Sequence, residues 1–268
     1  MEKPMTIYKK PKPSKKQLSD RALEFFTNRE INQQTLTTYG IFCSEKTFNG
    51  QKSECISFPY FIDGDLVNVK YRGYEKIFMQ EKDSKPSLFG QDIAKESNSW
   101  INDKAIVFVE GEMDVLACYE AGIQNAVSLP NGAPKEAKYQ NNDKRYDAIR
   151  NCDYLEHAEK IILAVDNDPS GHALKNELAH RFGKDRCWTV TFPTIHDTPI
   201  KDANECLIVH GKQTLNEVLE NCKPFPVDGL HNADEYMEEV FDLYEGNLSE
   251  ALSTGYPELD KIYKVMTS

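Results

Sequence analysis

The 268-residue sequence contains no apolar run near the roughly 20 residues needed to cross a bilayer. Its opening stretch, MEKPMTIYKKPKPSKK, lacks the apolar centre of a secretory signal. A cytoplasmic protein with no membrane partner is therefore expected. The seven cysteines (Cys43, Cys55, Cys118, Cys152, Cys187, Cys206 and Cys222) are scattered, and none forms a Cys-x-x-Cys pair. That spacing excludes a zinc ribbon or finger and a disulfide framework, so zinc is not expected and the thiols read as small buried apolar groups. No Gly-x-x-x-x-Gly-Lys-Ser/Thr loop occurs, which excludes a Walker-type ATPase within these residues. No internal repeat is present.

The net charge of -11 argues against a polyanionic partner until its distribution is read. Residues 1–95 hold 16 Lys+Arg against 12 Asp+Glu, whereas residues 226–268 hold 2 against 10. A basic front can bind a polyanion although the whole chain is acidic.

Residues 1–17, rich in Lys and Pro, read as a flexible basic tail. LSDRALEFFTNREI has helical spacing with Ser19 as N-cap, and a second short helix over Gln33 to Tyr39 stops at Gly40. From Cys55 to Met79 the pattern alternates around Asp63-Gly64, a hairpin dipeptide, and predicts a small antiparallel sheet. Lys70, Arg72, Lys76, Lys82 and Lys85 lie on or beside it, where solvated edge-strand lysines are the alternative to a binding face. From residue 101 strands and helices alternate. AIVFVE, NAVSLP, KIILAVD and CWTVTFP read as strands, GEMDVLACYEAG and SGHALKNELAHRFG as helices, and the stretch up to Ala158 as polar and helical. The fold class is α/β, an α+β N-terminal subdomain (18–100) followed by a Rossmann-like domain (101–225) with a mainly parallel sheet. An acidic linker helix (226–252) and a new start at 253–268 complete the expected organisation.

In an open α/β sheet, ligands sit at the carboxyl ends of the strands. Glu110 ends one predicted strand and Asp166 another. Asp168, two residues on, shares the side of Asp166 in extended backbone. Asp114 falls one helical turn after Glu110, and Asp202 in KDANE follows a further strand. Two such charges at ~4 Å and an effective dielectric of ~20 repel by roughly 4 kcal/mol, so they share a proton or hold a cation. An all-oxygen set selects Mg²⁺ or Mn²⁺ over zinc. The bland readings are that Asp168 caps a helix and Glu110 complements a helix N-terminus. It is the combination that points to a site for metal-bound phosphates.

Glu110-Gly111-Glu112-x-Asp114 followed by apolar-Asp166-x-Asp168-x-x-Gly171 resembles the TOPRIM fold of primases and topoisomerases. KYRG (70–73), KPSLFG (85–90), VEGEMD (109–114), SLPNGAP (128–134, with Gly132), VDNDPSG (165–171) and KDANE (201–205) also occur in order. Together they are similar to the primase half of phage-type primase-helicases, to bacterial DnaG-type primases and to Twinkle helicases. STGYPELD (253–260) resembles the opening of a RecA-like helicase domain, which makes 253–268 a truncated start. The resemblance implies a DNA primase making short RNA primers by Mg²⁺-dependent nucleotidyl transfer on single-stranded DNA in a bacterial or phage-infected cell. It implies that Asp166 and Asp168 bind the metal with help from Asp114 and Asp202, and that Glu110 acts as general acid/base or as a further ligand. Gly111, Gly132 and Gly171 would be motif glycines, and Lys70 and Arg72 would contact phosphates. Implied partners are the template, ribonucleoside triphosphates and a helicase domain in cis that forms a ring. The family's zinc module is absent, so a catalytically silent single-stranded-DNA-binding module is the alternative, with a TOPRIM nuclease behind it. A topoisomerase would need further large domains.

Overall fold

The computed structural model describes residues 8–195 and 198–227, with Met237, Val240, Phe241, Tyr244, Tyr256 and Glu258 beyond them. Two units result, Met1–Phe225 and Pro226–Ser268. In the second, Met237, Val240, Phe241 and Tyr244 are helical and exposed. Most of the expected linker helix, and of the start expected at 253–268, lies outside the described residues.

The first unit opens with α1 (Asp20–Thr27), capped by Ser19, and α2 (Gln33–Thr38), capped by Asn32. Each cap side chain accepts a backbone N–H three residues on. Four strands follow, β1 (Phe42–Phe48), β2 (Gln51–Ile62), β3 (Asp65–Arg72) and β4 (Phe78–Gln80), forming an antiparallel sheet in that order. Asp63 (φ 49) and Gly64 (φ 80) both turn left-handed between β2 and β3, the backbone a tight hairpin requires. Residues 9–16 do not behave as the free tail expected of them. Lys16 pairs with Cys43 through backbone hydrogen bonds in both directions, Lys9 N–H reaches Asp83, and the Ser44 hydroxyl reaches Ser14. β1, an edge strand, supplies the partners of Lys16 and Ser14, and Asp83 after β4 supplies that of Lys9.

Helices α3 (Gln91–Glu96) and α4 (Asn98–Asp103) lead into a second sheet. Its strands are β5 (Ala105–Val109), β6 (Ala126–Ser128), β7 (Lys160–Leu163), β8 (Cys187–Thr189) and, after the hairpin β9 (Thr194–Ile195) and β10 (Thr198–Pro199), β11 (Lys223–Pro224). The order is β11-β8-β7-β5-β6, parallel except for β11. β5 is buried throughout, as a central parallel strand covered on both faces must be. Helices α5 (Glu112–Glu120), α7 (Pro169–Phe182) and α8 (Ala203–Glu220) connect and cover these strands. The stretch expected as a polar helix contains only the single turn α6 (Asp147–Arg150) between 3₁₀ turns at Lys144–Tyr146 and Asp153–His157. Asp143 caps the first of these with its own side chain. The buried Glu177 of α7 takes the N–H groups of Lys138 and Tyr139, so a distant carboxylate replaces helical hydrogen bonds here.

One hydrophobic cluster runs across both sheets, joining Phe26, Leu36 and Phe58 to Val107, Val115, Ala126 and Leu215. Glu120, at the far end of α5, adds a polar fastening. Its carboxylate accepts from Asn32 N–H (2.8 Å), the Thr35 hydroxyl (2.6 Å) and Lys212 Nζ (2.8 Å).

Candidate active site at the carboxyl ends of the parallel strands

β5 ends at Val109 and delivers Glu110. One of its carboxylate oxygens, Oε2, is buried without a hydrogen-bond partner. Burial first, then the charges of Asp166 and Asp168, pushes this carboxyl up from 4.5 to about 7. Asp114, in the first turn of α5, is buried. Its Oδ2 accepts the N–H of Gly111 at 3.2 Å and its Oδ1 that of Asn204 at 3.1 Å. It thus ties the start of α5 to the start of α8. Burial, and next Asp202 and Asp166, raises its carboxyl well above the ordinary range.

β7 leads through Ala164 and Val165 to Asp166, which is buried, and to Asp168, which caps α7 by accepting the N–H of Gly171 at 2.9 Å. The two carboxylates converge on one cation, with Lys201 Nζ at 2.8 Å from Asp166 and 3.3 Å from Asp168. Burial raises Asp166, while the helix N–H of Gly171 lowers Asp168. Asp202 caps α8 through the N–H of Glu205 at 2.8 Å and is raised by burial. All five expected carboxylates therefore lie at one end of the sheet, Glu110 within electrostatic reach of Asp166 and Asp168, and Asp114 of Asp166 and Asp202.

Of the motif glycines, Gly171 is held by contact, since a Cβ there would lie 2.0 Å from the carbonyl oxygen of Asp166. A Cβ on Gly111 would meet only Asp114 Oδ2 at 3.4 Å, and one on Gly132 would face open space. Lys70 is buried in an ion pair, with Nζ 2.8 Å from Glu112 Oε1, and the Tyr60 hydroxyl donates to the same oxygen. This placement directs Lys70 toward the start of α5, where Glu112 takes up its charge. Arg72 lies on the same strand face, two residues on. Arg145 and Arg150 pair with Asp143 and Asp147 close to them in the chain.

Lys201, Glu112 and Arg29 are the charged groups that the sequence pattern does not single out. A signal existed for the first, because five carboxylates need a counter-charge and Lys201 stands beside Asp202 in KDANE. Glu112 and Lys70 are separated by 42 residues, and no periodicity pairs them.

The raised carboxyls predict a pH dependence in metal-free solution. Glu110 keeps its proton in the folded state up to about 7 but loses it near 4.5 when unfolded. The folded state therefore binds more protons across that window, and stability falls as pH rises through it. Thermal melts between those limits should show this fall, and Glu110→Gln should flatten it. An equal slope in the variant would assign the effect to Asp114, Asp166 and Asp202.

The donor set suits Mg²⁺ or Mn²⁺. It is all oxygen, two carboxylates already share a cation, and the partnerless Glu110 oxygen stands beside them. Among the described residues no three acidic, His or Cys side chains form a closed cage. Two carboxylate arms, with water and phosphate completing the shell, is the usual arrangement for Mg²⁺.

The Toprim-like family matches residues 107–207, from within β5 into α8. The chain is 35% identical over 258 residues to the Twinkle homolog protein, chloroplastic/mitochondrial, of Arabidopsis thaliana, covering 93% of this chain and 35% of that protein. It is 39% identical over 217 residues to the Primase homolog protein of the same plant, covering 78% and 61% respectively. The chain thus spans less than two thirds of the length of either curated relative. The primase domain of bacteriophage T7 gp4, solved bound to an RNA/DNA hybrid and dTTP, superposes with a TM-score of 0.56 at 26% identity, over 74% of this chain and 91% of that one. Residues 107–207 thus match the Toprim-like family, in a chain similar to the Twinkle homolog protein and to the bacteriophage T7 primase domain.

Proposed function

We propose that the chain is the primase part of a primase-helicase, synthesising short RNA primers on single-stranded DNA from ribonucleoside triphosphates. The observation that carries this reading is the convergence of Asp166 and Asp168 on a single cation beside Glu110. Asp166 and Asp168 would hold Mg²⁺, with Asp114 and Asp202 setting their positions from the starts of α5 and α8. The ion's contribution is to neutralise phosphate charge during transfer. Glu110, half-protonated near neutral pH, is suited to accept the proton of an attacking 3′-hydroxyl. Lys201 would keep the carboxylate pair compensated until nucleotide arrives. With Lys70 engaged by Glu112, Arg72 is the group left to meet phosphate. The helicase partner in cis, and a ring formed through it, belong to the same reading.

The test is primer synthesis on mixed-sequence single-stranded DNA with Mg²⁺ or Mn²⁺ and labelled ribonucleotides. Wild type should give short oligoribonucleotides, and Asp166→Ala/Asp168→Ala none. No product from folded wild type that still binds single strands would replace this reading with a silent DNA-binding module. Nicking of DNA would replace it with a nuclease.

A further inference from the structure

β3 and β4 carry an arrangement that the acidic site does not explain. Arg72 pairs across the strands with Phe78, and Lys70 with Gln80, so all four side chains share one face. That face turns toward the Toprim-like domain. Gln80 donates to the Pro130 carbonyl at 2.9 Å and to Asn131 at 3.0 Å, in the loop after β6, while Lys70 reaches Glu112 at the start of α5.

On this face the Arg72 guanidinium makes no ion pair or hydrogen bond among the described residues, and its Nε is buried. It stands 5.1 Å from the ring of Phe25 and 5.3 Å from that of Phe78. The Arg29 guanidinium lies 3.7 Å over the same Phe25 ring and, among the described residues, donates only to the Phe25 carbonyl. Burial, and next the charge of Arg29, pulls Arg72 below its usual range. Glu112 and Asp202 act on Arg72 and Arg29 only from a distance, and neither guanidinium has an ion pair among the described residues; a phosphate fits such a pair by taking their N–H donors. Phe78 is 49% exposed although large and apolar, with Lys70 Nζ 5.2 Å from its ring. An exposed ring beside the Arg72 guanidinium, which has no ion pair among the described residues, is the composition of a base-stacking platform.

We propose that Arg29, Arg72 and Phe78 form a ledge for one nucleotide unit of a single strand, its phosphate against the two guanidinium groups and its base on the Phe78 ring. The ledge rests on the nucleic-acid reading above and adds Arg29 and Phe78 to it. It works without metal, so its test is independent of chemistry.

Anisotropy of labelled oligo(dT) with the full chain in EDTA should show binding weakened roughly tenfold by Phe78→Ala and restored by Phe78→Tyr. Arg29→Gln should reduce the salt dependence by about one phosphate contact. A labelled ribonucleoside triphosphate forms the second arm. Unchanged oligo(dT) binding in both variants overturns the ledge, and so does loss confined to the triphosphate, which would make it a nucleotide subsite. Should Phe78→Ala not fold, Phe78→Trp serves, with emission quenched by oligo(dT) beyond the wild-type background if the ring stacks and unchanged if it does not. Primer synthesis by wild type runs in parallel. Ledge-dependent binding without product counts against the primase reading alone.

Discussion

Gly171→Ala is expected to leave no primer synthesis and to cost more than about 3 kcal/mol in a urea melt. The added Cβ would stand 2.0 Å from the carbonyl oxygen of Asp166 and 2.7 Å from its carbonyl carbon. Both are backbone atoms, so no side-chain rotation relieves the overlap. Either α7 retreats from the strand end or the Asp166 turn opens, and each separates Asp166 from Asp168. This is the close helix-to-strand approach for which a glycine opens a helix in nucleotide-binding α/β folds. Ser170→Ala, one residue earlier and outside that contact, should cost under about 1 kcal/mol. If Gly171→Ala melts with wild type and still makes product, the tight turn is not what positions the carboxylates.

Glu112→Ala is expected to lower stability by about 3–5 kcal/mol, because it strands the buried Lys70 charge and the Tyr60 hydroxyl together. Side-chain exposure of Lys70 and Glu112 is 11% and 7%, so water cannot replace the missing partner. The double change Lys70→Met/Glu112→Gln removes both charges but keeps an acceptor for Tyr60. It should recover most of the loss in a double-mutant cycle. Equal loss in the single and double variants would mean that packing, not the uncompensated charge, is what Glu112 provides. A second reading follows from the same melts. If Lys70 contacted phosphate, Lys70→Met would mainly weaken oligo(dT) binding, whereas its ion pair predicts a stability defect first.

The parts of the site that sequence discloses are those fixed by short-range rules. Asp166 and Asp168 share a direction because successive extended residues alternate, and both meet Lys201. Ser19 and Asn32 cap helices because short polar side chains satisfy the first free N–H groups, and Asp63-Gly64 turns because both adopt positive φ. What stays hidden depends on distant pairing. The expected strand NAVSLP shortens to Ala126–Ser128, the residues in register with Val107–Val109 of β5. The segment 135–158 gives up its polar helix to Glu177, a residue whose role is set by α7. Residues 9–16 carry the composition of a tail, and Ser14 and Lys16 bind because β1 offers an unpaired edge. Arg29 reads as an ordinary helix-end cation until Phe25 and Arg72 are seen beside it.

The fastening at Glu120 bears on how the chain reaches this state. It draws in Asn32 from 88 residues upstream and Lys212 from 92 residues downstream, on a helix whose other end meets Lys70. Each contact closes a long loop before it returns any stabilisation, which slows the search for the native topology. The antiparallel sheet and the parallel sheet should consequently gain their structure in one concerted transition. A fragment cut at residue 100 would leave the same helix without half of its anchors, and neither piece should acquire a cooperative melt by itself.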